Sequence, residues 1–211
     1  MPTGLSRIGL LGAGAHADEI AEYIPAGSVA FRAVDDAYLQ PSDLTLISIS
    51  TESRAHLETP VIAAVGAPGL RRALIGRWRG THFARVVAQS AVVSPSASIG
   101  DGSVVMAGAI CSTRVKVGSH VSINIGATVS HDTVLGDYST LSPGVHVSGR
   151  CVIGKGVFLG TGVVVADGVT IADGAVVGAG AVVIKDITEP GTYVGVPAHF
   201  TRQREGWLHD L

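Results

Sequence analysis

His131 stands between Ser130 and Asp132. An imidazole beside a carboxylate is the ingredient for general-base chemistry, because the carboxylate can hold the tautomer and raise the ring's basicity if it reaches Nδ1. A solvated surface histidine is the plainer alternative at this position. A second constellation lies near the N-terminus, where Gly12-Ala13-Gly14-Ala15-His16-Ala17 follows a short apolar run and Asp35-Asp36 comes later. Gly12-x-Gly14-x-x-Ala17 has the spacing of a phosphate-binding turn. Glycines let the backbone approach a diphosphate, and the helix that follows adds amides and a positive dipole. The alternatives are a tight strand-to-helix turn without a ligand, and NAD, which would want a second half-domain to hold the nicotinamide. His16 can donate to a phosphate or a sugar, or can be a surface residue.

The elements that must carry these residues differ along the chain. Arg7 to Leu11 reads as a short buried strand running into the glycine turn. A helix is expected over Asp18 to Ile24, with acidic residues in its first turn and Pro25 and Gly27 at its end. Further strands are expected over Val29 to Val34, Leu44 to Ile49 and Val61 to Val65, and a helix over Gly69 to Trp78. Alternating strands and helices predict a small parallel α/β sheet, Rossmann-like, over residues 1–85.

From Val87 onward every sixth residue is aliphatic, with one cysteine, through Val177. Four residues after each comes a small or β-branched residue, and Gly, Ser, Asp and Asn fill the gaps. A helix would repeat at about 3.6 and a lone strand at about 2. A strict hexad instead predicts a parallel β-helix with three faces per turn, over residues 86–198. The hexad breaks after Val183, and residues 199–211 read as a tail in which Trp207 and Leu208 close the open end of the coil. Cys111 and Cys151 both fall on inward positions and read as core residues rather than catalytic thiols. His120 and His146 face outward without an evident partner. Their spacings to His131, 11 and 15 residues, do not match the 18 of a full coil, so no metal site is expected.

A net charge of −2 over 211 residues carries no basic footprint for nucleic acid. Charged residues at 15% and hydrophobic residues at 46% fit a stacked solenoid and exclude a disordered chain. No signal peptide or membrane span is expected, and two core cysteines without a disulfide framework suit a reducing cytoplasm.

The chain resembles the bacterial hexapeptide acyltransferases of the sialic acid O-acetyltransferase and nucleotide-aminosugar N-acetyltransferase type. The likeness rests on the Gly12 to Ala17 turn, Asp35-Asp36, Ala64 to Arg71, Ile123-Asn124, Ser130-His131-Asp132, Pro143 to Gly149 and Val194 to Ala198. It implies a homotrimer of left-handed β-helices, acetyl-CoA between neighbouring subunits, and a nucleotide-linked amino sugar on the N-terminal domain. It implies His131 as catalytic base, Asp132 as its orienting carboxylate and Asn124 as a supporting polar group. Gly12, Gly14, His16, Asp35 and Asp36 would bind the sugar nucleotide. Backbone amides at Gly149 and Ala179 would meet acetyl-CoA. Ala15 and Ser130 depart from the family pattern, in which a glycine and, in amino-sugar enzymes, a glutamate can stand. The expectation is N-acetylation in cytoplasmic glycan biosynthesis. A sugar O-acetyltransferase and a non-catalytic nucleotide-binding scaffold are the alternatives.

Overall fold

The computed structural model describes residues 7–39, 45–50 and 53–210. Leu10 and Leu11 are fully buried, so β1 (Ile8–Leu11) must lie inside a sheet covered on both faces. It does: β1 pairs in parallel with β2 (Val29–Val34) and β4 (Val61–Ala63), and β3 (Leu46–Ser48) extends the sheet in the order β3-β2-β1-β4. Leu44, in the expected third strand, lies outside the described residues.

Helix α1 (Ala15–Ala21) starts three residues before the expected Asp18, with Gly14 as its extended N-cap. Alanines at 15 and 17 accept helical geometry at once. The chain tightens before Pro25, where Tyr23 and Ile24 donate to Ile20 and Ala21, three residues back. Helix α2 (Arg54–Glu58) was not expected; Ser53 and His56 form its capping box. Helix α3 (Pro68–Arg77) follows β4, with proline in its first turn.

The rest of the chain is a left-handed parallel β-helix of two-residue strands, β5 (Val86–Val87) through β21 (Val182–Val183). Pairing is parallel and 18 residues apart, as in Lys116 with Ser98 and Val134. Three sheets form three faces. The first carries Val104, Ser122 and Thr140, the second Ile110, Thr128 and His146, and the third Lys116, Val134 and Val152. Inward residues of both hexad sets, Cys111 and Cys151 among them, make one continuous buried core. Val87, at the open start of the stack, is 44% exposed because no coil lies beneath it.

The α/β sheet sits on the first face. Leu10, Ile20, Ile62, Val86, Val104 and Met106 share one apolar cluster across the junction. Arg71 of α3, 1% exposed, crosses it. Its guanidinium donates six hydrogen bonds, to the carbonyls of Val65, Gly66, His120, Tyr138 and Ser139 and to Thr140 Oγ1. Among the described residues no carboxylate neutralises it, and burial lowers its pKa to about 9.

Trp207 and Leu208 do not cap the coil. β22 (Thr192–Val194) continues the first face, and β23 (His199–Arg202) pairs antiparallel with it. The chain then runs back along the side of the coil. Trp207 lies against Gly156 and Gly174 and near Tyr138, on one corner of successive turns, with the Arg72 guanidinium 4.2 Å above its ring. Leu208 accepts a hydrogen bond from Gly69 N–H. There Trp207 finds the Tyr138 ring and the Arg72 guanidinium, and Leu208 finds a backbone donor.

Candidate active site

His131 lies at the corner between the second and third faces, two residues beyond inward Val129. Asp132 reaches it: Nδ1 is 2.9 Å from Oδ2. A proton on Nδ1 bonded to the carboxylate leaves Nε2 with its lone pair. Nε2 lies over Gly149, one turn further along the coil. A Cβ at Gly149 would come within 2.8 Å of Nε2 and 2.7 Å of Cε1. A side chain at this position would push the ring out of place. Neither Nε2 nor the Gly149 amide has a hydrogen-bond partner among the described residues.

Arg114, 18 residues before Asp132, completes the group. Its Nε and Nη2 grip both carboxylate oxygens at 2.6 and 2.9 Å. The guanidinium, and after it His131, hold the Asp132 carboxyl well below the usual carboxylate range. Sequence reading missed Arg114, yet a signal was present. Corner positions in the left-handed conformation favour glycine. The corner between the first and second faces obeys, with Gly108, Gly126, Gly144, Gly162 and Gly180. Arg114, Asp132 and Arg150 break the rule at the His131 corner, and His120 and Tyr138 break it at the third. Each accepts backbone strain of about 1–2 kcal/mol, so its side chain is placed for a reason.

At the third corner that reason is the domain junction. His120 was expected to face outward without a partner. It points away from the coil core but is only 6% exposed, stacked on Tyr138 at 4.9 Å and edge-on to Phe83 at 4.7 Å. Burial, followed by the Arg71 charge, lowers its pKa to about 4. His146 has a partner too, Thr128 Oγ1 at 2.8 Å.

The glycine turn opens a second site. Gly12 has φ +123, and a Cβ there would press on the Ala64 carbonyl at 3.0 Å, so glycine is required. Beside it is a cavity of about 830 Å³ at the C-terminal ends of β1, β2 and β4. This is where open α/β sheets bind ligands. Gly12, Gly14, Asp35, Tyr38, Arg77 and His209 are in its wall. Arg77 pairs with Asp35 and keeps its carboxyl low. Asp36 accepts from Ser48 and stands outside the wall. His16 also stands outside it, part-buried toward the junction and 3.5 Å from Glu19; burial first, then Arg71, lowers its pKa.

The expected residues thus fall into separate groups within one chain. His131, Asp132 and Gly149 meet at one corner. Asn124 lies at the corner between the first and second faces, 7% exposed, its amide donating to Leu141 O. Ala179 lies on that same corner, its amide without a partner among the described residues. The His131 corner is the vertex opposite the face that carries the α/β sheet, and His131 does not line the cavity. Among the described residues no three His, Cys, Asp or Glu side chains assemble as a metal site, and no helix is long and apolar enough to cross a membrane.

Residues 150–185 match the family described as bacterial transferase hexapeptide (six repeats). No curated protein sequence matches the chain. Solved structures do. The acetyltransferase domain of PglB from Neisseria gonorrhoeae is 32% identical, with a TM-score of 0.83 over 93% of this chain and all of that one. PerB from Caulobacter crescentus, solved with CoA and GDP-perosamine, is 31% identical, with a TM-score of 0.80 over 94% of this chain and 98% of that one. WeeI from Acinetobacter baumannii is 27% identical, with a TM-score of 0.80 over 92% and 99%. The chain belongs to the hexapeptide-repeat acyltransferases, in the family of sialic acid O-acetyltransferases and nucleotide-aminosugar N-acetyltransferases.

Proposed function

We propose that the protein transfers the acetyl group of acetyl-CoA to the amine of a nucleotide-linked amino sugar, with His131 as general base. The observation that carries this reading is the His131–Asp132 pair, with a free Nε2 over a bare Gly149. The PglB domain has been solved with acetyl-CoA and PerB with CoA and a GDP-linked sugar, which supports the same pair of substrates here.

His131 Nε2 accepts a proton from the amine as its nitrogen attacks the thioester carbonyl. Asp132 holds the ring and stabilises the imidazolium that forms. The unpartnered Gly149 amide is suited to the thioester region. A backbone donor at the developing oxyanion is commonly worth about 3 kcal/mol. As the tetrahedral intermediate collapses, the C–S bond breaks and His131 returns the proton to the leaving thiolate. The products are the amide and CoA.

Gly12, Gly14 and Asp35 are assigned to the nucleotide and His16 to its sugar side, with Asp36 bracing β3 through Ser48. Residues 1–85 would serve the nucleotide sugar, residues 86–198 the acyl transfer, and 199–211 the return to α3. Because the cavity and His131 lie on opposite sides of the coil, an acceptor held by one copy would meet His131 of a neighbour in a homotrimer. Asn124 and Ala179, on a different corner from His131, would join it across the same interface. We place the reaction in the cytoplasm, where acetyl-CoA and nucleotide sugars are made.

The test is thiol release from acetyl-CoA with UDP-, dTDP- and GDP-linked amino sugars, wild type beside His131→Ala. Release with one nucleotide series, lost in the variant, and a product resistant to mild alkali are expected. Undiminished turnover of His131→Ala overturns the assignment of the base. An alkali-labile product replaces the amine by a hydroxyl. Mixed trimers of His131→Ala and Gly12→Val subunits should regain activity that neither has alone; no regain overturns the shared site.

A further inference from the structure

The returning tail brings His209 into the wall of the nucleotide cavity, beside residues from the glycine turn and α3. Its position is built by the preceding residues. Leu208 O accepts from Gly69 N–H at 2.7 Å, in the first turn of α3. Gly69 leaves room for this approach, since a Cβ there would stand 2.8 Å from Leu208 O and 3.1 Å from Trp207 O. Trp207 is clamped between the Arg72 guanidinium and the coil corner at Gly156 and Gly174, and Leu208 is only 8% exposed.

The cavity has two ends along α3. Arg77, in the last turn, pairs with Asp35 near Tyr38. Leu70, in the first turn, is also in the wall, and Gly12 lies against Ala64 and Val65, which lead into α3. Seven residues of helix separate Leu70 from Arg77, about 10 Å. An acidic residue at the end of the second strand suits a ribose, and the glycine turn suits a diphosphate. His209 follows directly on the residue bonded to Gly69, so it stands at the diphosphate end.

We propose that the C-terminal tail is part of the acceptor site, and that the His209 imidazole donates a hydrogen bond to the diphosphate of the nucleotide sugar. The inference rests on the nucleotide-sugar reading of the cavity. It adds a binding residue from the far end of the chain. No residue of the catalytic corner is involved, so the tail should affect acceptor affinity and leave acetyl-CoA alone.

The experiment is calorimetric titration of the full-length protein with UDP, dTDP and GDP, and with the matching nucleosides. The variants are His209→Ala, His209→Gln and Trp207→Ala. One hydrogen bond to a charged phosphate predicts roughly 10-fold weaker diphosphate binding for His209→Ala. Partial recovery is expected in His209→Gln, which keeps a donor, and a similar loss in Trp207→Ala, whose tail is undocked. Nucleoside binding and the KM for acetyl-CoA should not move in His209→Ala. Equal diphosphate affinity in wild type and His209→Ala overturns the tail's role while the cavity reading stands. A wild type that binds no nucleoside diphosphate overturns both.

Discussion

The coil and the α/β sheet hold side chains in opposite ways. In the coil, an 18-residue register stacks residues on each corner, and Arg114, Asp132 and Arg150 follow one another like rungs. Its interior is filled with small aliphatic residues, and its chemistry sits on an outer corner where His131 is about half exposed. The sheet instead gathers residues from strand ends, a helix and the C-terminal tail around a concavity. The coil therefore gives exact spacing without enclosure, and the sheet gives enclosure without a catalytic pair. Under the proposed function, neither part would make a complete acyl-transfer site alone.

The sharpest test of this division is at His131. His131→Ala should lower kcat by ~100- to 10,000-fold with thermal stability and nucleotide binding unchanged. Asp132→Asn should lower it less; an equal loss, measured in the same thiol-release assay, would give the carboxylate a direct part. The next effect is expected where the two regions join. Arg71→Met leaves the Val65, His120 and Tyr138 carbonyls without their donor, while Gly66 keeps Thr140 Oγ1 and Ser139 keeps the Ser122 amide, at a cost of about 3–5 kcal/mol. Denaturant unfolding should then separate into two transitions, sheet before coil. A single unshifted transition would mean that the apolar contacts alone hold the junction.

His120 sets a smaller, pH-dependent effect at the same joint. Its folded pKa of about 4 lies below the ordinary 6.5, so the unfolded chain binds the proton more readily. Stability is fully present above pH 6.5 and declines as pH falls toward 4, by about 3 kcal/mol at most. His120→Phe should flatten that part of a melting-temperature profile. The smallest effect is expected from Arg114→Met. With the guanidinium gone, the Asp132 carboxyl titrates at higher pH. The carboxyl titration of Asp132, followed by NMR, should therefore move to higher pH than in wild type. At neutral pH the loss of activity should be only a few-fold, of the order of an exposed ion pair. An unmoved carboxyl titration would reduce Arg114 to a surface partner.

What was legible in the sequence follows the same division. Inward residues of a hexad repeat with no tolerance, so Cys111, Leu141 and Val165 could be placed by counting. The glycine turn was legible because Gly12 needs a conformation few residues accept. Contacts between distant segments have no period. Nothing in the order of residues joins Trp207 to Gly156, Leu208 to Gly69, or Arg71 to Tyr138, and so the tail and the fate of His120 were misplaced. Arg114 lay between these cases. Its spacing from Asp132 was readable, but its importance appears only once the corner is known to prefer glycine.

Arg71 grips the coil at His120 and at Tyr138, Ser139 and Thr140, and His131 lies between those points in the chain. The N-terminal sheet is therefore anchored on the turns that carry the base. A whole coil of 18 residues inserted beyond Thr140 would lengthen the protein without moving the cavity relative to His131. The same insertion between His120 and His131 would shift the base by one rung, about 4.8 Å, and pull the grip apart. At the end beyond Thr140 only the returning tail, held at Trp207 and Leu208, would have to follow the change.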